Sequence, residues 1–180
     1  MKKGEVLSLL IRYGLLVVLA GGDLWVFYKV FTPLTIYPVT FILDKLYGAY
    51  LIEGTVKIVF QGIVIEIVRA CVAGSAYYLL LMLNLTTPMK KIVHLKSILF
   101  LFSAFFIANI VRIVIFAILF SNGYGYFDLA HRFTWYVLST LLVIGVWFAS
   151  VLIFRIEDVP GYSDMRKIIK EMKNKRIRKR

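Results

Sequence analysis

Apolar residues in this chain fall in long blocks, and the blocks differ enough in length and polar content to suggest the elements. Lys96–Phe120 and His131–Phe154 are each long enough to cross a bilayer, which takes about 20 apolar residues in helical form. The first of them carries Asn109 and Arg112 in its interior. Val72–Thr87 is a shorter apolar run that stops at Pro88. Val6–Val30 is a longer run interrupted by Gly21-Gly22-Asp23, with Arg12 near one end, where its long stem can snorkel. Thr32–Gly48 is apolar as well but holds Pro33, Pro38, Asp44 and Lys45, which predicts an interfacial or re-entrant element, with a full span as the rival reading. The stretch 55–69, "TVKIVFQGIVIEIVR", reads differently. It is rich in β-branched residues, Gln61-Gly62 splits it, and Ile63, Ile65 and Ile67 alternate with Val64, Glu66 and Val68. That order predicts a β-hairpin turning at Gly62. Both faces are mostly apolar, so a short buried helix would answer to the same composition. "SNGYGYFD", 121–128, is a turn-forming loop in which Asp128 caps the helix that follows.

The expected fold is therefore an all-α polytopic membrane protein with about four transmembrane helices, an interfacial element and a small extracytoplasmic β-hairpin. Residues 1–154 form one membrane domain and 155–180 a basic cytoplasmic tail. In the tail Met165, Ile168, Ile169 and Met172 recur at helical spacing, which suits an amphipathic helix lying on an anionic lipid surface. Composition agrees. The chain of 180 residues is 61% hydrophobic, well above the half that is ordinary for a soluble domain, and its mean hydropathy is +0.82. The first apolar run lacks a small-residue cleavage site of signal-peptide type and is expected to be retained.

Charge orients the chain. The formal net charge is +12, but the cations cluster at Lys2-Lys3, at Lys90-Lys91 with Lys96, and in the tail. They flank apolar runs, as the positive-inside rule requires, and nucleic-acid binding is a poor account of them. With the tail and Lys90-Lys91 inside, Val72–Thr87 runs inward and Lys96–Phe120 runs outward. His131–Phe154 returns. Cys71 and His131 then lie at outer helix ends, and Arg112 about 12 Å below the outer end of its helix. Both termini are cytoplasmic in a multi-pass protein of the cell membrane.

Those three residues compose a chemistry. Cys71 is the chain's one cysteine, which excludes an intrachain disulfide or a cysteine metal cage. At a helix start beside a cation its thiol is expected to ionise readily and to act as a nucleophile. Arg112 supplies the cation and donors for an oxyanion. His131 supplies a base or acid near neutral pH. Asn109, one turn before Arg112 on the same face, either holds the guanidinium or donates to the oxyanion. Each residue also has a plainer role: Cys71 as apolar filler, Arg112 as one half of a structural ion pair, His131 as an interfacial side chain and Asn109 as interhelical glue. Ala70, Ala73, Gly74, Ser75 and Ala76 suit close helix approach, His94 suits the inner interface, and Glu66 and Arg69 suit a cross-strand or solvated pair.

Taken in order, "ACVAGSAYY" with Cys71, "ANIVRIVIF" with Asn109 and Arg112, and "DLAHRFTWY" with His131 resemble the exosortase/archaeosortase family, over roughly Gly54–Phe154. Family members commonly have one residue between Cys and Gly, and here Val72-Ala73 intervene; the chain is also close to the minimal core. The resemblance implies a membrane cysteine transpeptidase with its active site at the extracytoplasmic face. Cys71 would attack the C-terminal sorting-signal segment of an exported protein, Arg112 and His131 would assist, and a thioester would pass the protein to a lipid acceptor. No cofactor, metal or nucleotide is implied. The alternatives are a non-enzymatic structural or accessory membrane protein, or a small transporter subunit, using Arg112 as an intramembrane charge partner.

Overall fold

The computed structural model describes residues 13–87 and 89–156. The first seven residues of the Val6–Val30 run, the Lys2-Lys3 pair and the amphipathic tail lie outside the described residues.

Residues 13–20 are helical, and the chain then breaks through a left-handed turn at Gly22, Asp23 and Leu24 (φ 66°, 57° and 57°). A single 23-residue helix, α1, follows at Trp25–Tyr47. It passes through Pro33 and Pro38 and ends at Gly48, whose left-handed backbone lets its N–H bond back to the Asp44 carbonyl at 2.8 Å. The re-entrant element expected over Thr32–Gly48 is thus the second half of a span-length helix. The two prolines each forgo one N–H bond without ending it, as apolar surroundings and neighbouring helices permit.

The hairpin forms where expected and gains a third strand. Strands β1 (Tyr50–Leu51), β2 (Lys57–Phe60) and β3 (Ile63–Glu66) make an antiparallel sheet in that order. Phe60 pairs with Ile63, so Gln61 and Gly62 are the two loop residues, and both have positive φ (48° and 78°). That is the backbone a type I′ hairpin turn demands. Across the strands Lys57 pairs with Glu66, their charges 4.0 Å apart. Ile58 and Phe60 are fully buried, against the second half of α1.

After the sheet the chain makes one helical turn, α2 (Arg69–Val72), and bends at Ala73, which is left-handed (φ 57°). Helix α3 runs from Gly74 to Thr86. A Cβ on Gly74 would stand 2.9 Å from the Tyr28 ring, so only glycine lets α3 approach α1 this closely. Arg69 stacks over the same ring and pairs with Asp23 rather than with Glu66. Helix α4 spans Lys91–Ser121, and α5 spans Phe127–Ile153. Within α5, Thr134–Leu138 is a π-helical turn.

Three of these helices, α1, α4 and α5, are long and apolar enough to cross a bilayer, with mean hydropathies of 1.4, 2.5 and 2.3. The described residues thus contain three such helices rather than about four. Helix α3 has 13 residues, or about 20 Å, against a hydrocarbon core of about 30 Å. Two apolar cores stack along the helices. One joins the sheet to α1 and the second half of α4 through Val39, Leu43, Phe60 and Ile113. The other centres on Tyr77 of α3, whose ring stacks on Phe31 at 3.7 Å and meets Phe105 edge-on at 4.9 Å.

Candidate active site

Beside the sheet, α4 and α5 enclose a cavity of about 320 Å³. Its wall includes Cys71 from α2, Arg112 from α4 and His131 from α5, together with the backs of β3 and the aromatic residues Phe116, Phe127 and Trp135. Three residues remote in sequence therefore face one space. The fold explains how. The hairpin delivers the chain onto α2, the bend at Ala73 turns it into α3, and the short loop before α4 brings the next helix back alongside, so that Arg112 arrives beside Cys71.

Arg112 is held from two sides. Its Nη1 donates to Ser139 Oγ at 2.7 Å and its Nη2 to the Cys71 carbonyl at 3.4 Å. Asn109 is almost wholly buried and donates from Nδ2 to the same carbonyl at 2.9 Å. Asn109 does not line the cavity; it stands behind it and fixes the Cys71 backbone. Its Oδ1 is buried without a hydrogen-bond partner among the described residues. Of the roles expected for Asn109, the bond it makes is that of interhelical glue: it grips the backbone of the cysteine, not the guanidinium. Its carbonyl-holding role follows from α2 being a separate turn whose last carbonyls no helix continues to satisfy.

Ser139 was not legible as a site residue. The π-turn puts it there. Its backbone N–H and its Oγ both bond the Thr134 carbonyl, the latter at 3.0 Å. A π-turn inserts one extra residue, so the face that carries His131 and Thr134 continues at Ser139 and not at Leu138, as a regular helix would have it.

His131 sits in an aromatic box. Its ring stacks on Phe127 (centroids 5.5 Å, planes 8° apart) and meets Phe116 and Trp135 edge-on at 5.4 and 5.9 Å. Among the described residues no hydrogen bond links His131 to Cys71 or Arg112, so the cavity separates the imidazole from the other two.

The thiol of Cys71, which lies outside the three span-length helices, differs from expectation. Burial pushes it above its ordinary range; a backbone hydrogen bond at Val68 and the charge of Arg112 oppose this without reversing it. The expected low thiol pKa rested on Cys71 opening a long helix. It belongs instead to a one-turn helix, whose few aligned peptides offer little dipole, and Arg112 gives two of its five N–H donors to a carbonyl and a hydroxyl rather than to the thiol. A thiol that rests protonated needs a base to become a nucleophile; two basic groups line the cavity, His131 and Glu66, and Glu66 is paired with Lys57 across the strands.

No metal-ligand cluster of three or more His, Cys, Asp or Glu occurs among the described residues. Comparison with known protein families, curated proteins and solved structures gave no match.

Proposed function

We propose that this chain is a multi-pass membrane protein acting as a cysteine protease/transpeptidase of the exosortase/archaeosortase type. It would cut the C-terminal sorting-signal segment of exported proteins at the extracytoplasmic face and transfer them to a lipid acceptor. The observation that carries this reading is the meeting of Cys71, Arg112 and His131 on one cavity wall, because nucleophile, charge stabiliser and base are the set acyl transfer requires.

The steps follow from the placements. A peptide carbonyl enters the cavity between Cys71 and His131. His131 takes the thiol proton through one water across the cavity as sulfur bonds to the carbonyl carbon, and the carbonyl π electrons move to oxygen. The oxyanion is met by the guanidinium of Arg112. Collapse breaks the C–N bond, and His131 returns the proton to the departing amine. The remaining thioester is attacked by the acceptor's nucleophile, which gives its proton to His131 and restores the thiol.

The test is a search for that thioester. The chain is isolated from its host membranes and the Cys71 peptide weighed before and after hydroxylamine. A hydroxylamine-labile acyl-peptide adduct, absent from Cys71→Ser, is expected. Absence of the adduct, with surface anchoring unharmed by Cys71→Ser but abolished by Arg112→Ala, would sink the enzymatic reading. It would favour an accessory protein whose Arg112 meets a partner's carboxylate. One observation supports that second reading: among the described residues no carboxylate pairs with Arg112.

A further inference from the structure

A second cavity, of about 690 Å³, runs between α4 and α5 and shares Arg112, Phe116 and Thr134 with the first. Its floor is made of small residues, Ala104 and Ala108 on α4 and Gly145 and Ala149 on α5. Apart from Arg112, Thr134 and Ser139 every residue lining it is apolar. All three polar residues stand at one end, where the groove meets the Cys71 cavity, and Arg112 is the only charge.

We propose that this groove is a binding site for one phospholipid, with a hydrocarbon chain along the α4–α5 floor and the phosphate on Arg112. The dimensions favour a lipid chain over a peptide. From Arg112 to Phe100 the groove follows α4 for about 18 Å at 1.5 Å per residue, close to the depth of one leaflet, about half of a 30 Å hydrocarbon core. A helix about 10 Å across fills roughly 400 Å³ per turn. The groove would thus hold fewer than two turns of a substrate helix, whereas a slender chain occupies its full length. The charge favours an anionic head. Arg112 is a cation on an apolar helix with no carboxylate partner among the described residues, an arrangement that is costly unless an anion completes it. Basic pockets between apolar helices are suited to lipid head groups. The shared wall then sets the head group at the mouth of the Cys71 cavity. Binding itself does not depend on the transpeptidase reading.

The experiment uses full-length Cys71→Ser protein, which cannot form a thioester, in detergent micelles. Bound lipid is counted by native mass spectrometry after adding phosphatidylglycerol or diacylglycerol with the same chains. One phosphatidylglycerol per protein is expected, with diacylglycerol retained at least tenfold less. Gly145→Leu is expected to reduce phosphatidylglycerol retention at least tenfold. A Cβ at Gly145 meets nothing within 4 Å, so the side chain starts into open groove space. An unchanged melting temperature checks the fold, and Ala108→Leu repeats the block from the opposite wall. Arg112→Gln is expected to bring phosphatidylglycerol down to the level of diacylglycerol. The proposal fails if both groove-filled variants keep their lipid, if diacylglycerol is held as firmly as phosphatidylglycerol, or if a 20-residue apolar peptide displaces the lipid where excess lipid does not.

Discussion

Two polar clusters lie in this mostly apolar assembly, and they are built from similar parts. Near the start of α4, Asn84 donates from Nδ2 to Ser97 Oγ at 2.9 Å and offers Oδ1 to His94 Nδ1 at 3.0 Å, and Ser97 reaches Ser150 at 2.7 Å. That cluster joins α3, α4 and α5, and all four side chains are buried. His94, read from sequence as interfacial, is one of its members. Farther along α4 the second cluster also has an asparagine, a serine and a histidine, with Arg112 and Cys71 added. Asn84 uses both ends of its amide; Asn109 uses one. Ser97 is consumed by other side chains, whereas Arg112 and His131 face open volume. Buried polar groups that satisfy one another fasten helices together. Those that point into a space are available to something else.

Substitutions should separate the two clusters. The largest effect is expected from Cys71→Ser: the proposed transfer activity falls by at least about 10⁴-fold, while thermal unfolding in micelles stays within a degree or two of the parent. Arg112→Gln should cost about 10²–10³-fold, the range for loss of an oxyanion donor, measured as the single-turnover rate of adduct formation. In the pH dependence of Cys71 alkylation, a raised thiol pKa means less thiolate at any given pH. The rate should therefore keep climbing above pH 8.5, where a free thiol is about half ionised. Arg112→Gln removes the opposing charge and should move the curve higher still. A curve centred below pH 8 would refute the account of the thiol. At the other cluster, Asn84→Leu should cost about 1–2 kcal/mol of stability and leave Cys71 alkylation unchanged at temperatures where the protein is folded. The smallest effect is expected from Ala73→Gly, up to about 1 kcal/mol of stabilisation from relief of the left-handed alanine, with a small loss of rate because the bend before α3 is freer.

Much of this contrast could be read in advance, but unevenly. The hairpin was legible because Gln61-Gly62 interrupts a β-branched run and Gly62 can take positive φ at no steric cost. The apolar helices α4 and α5 were legible by length, and the convergence of Cys71, Arg112 and His131 followed from counting reversals of direction. Helix α1 was hidden by Pro33 and Pro38, whose cost in water misleads for an apolar assembly. The separation of Cys71 from α3 was hidden because alanine, not glycine, takes the left-handed position at residue 73. Ser139 escaped because the π-turn shifts it out of 3.6-residue register. The Asn84–His94–Ser97–Ser150 cluster escaped because it exists only once three helices are docked.

Helix α3 also works as a spacer whose length cannot drift. At one end Asn84 is fastened to α4, and through Ser97 to Ser150 of α5, and at the other Asn109 and Arg112 grip the Cys71 carbonyl. One inserted residue would turn Cys71 by about 100° and carry it 1.5 Å onward, taking the thiol off the cavity wall. Seven would nearly restore the angle but overshoot Asn109 by about 10 Å. Related chains are therefore expected to differ in loop length and in apolar identity along α3, yet to keep the spacing between Cys71 and Asn84 free of insertions and deletions.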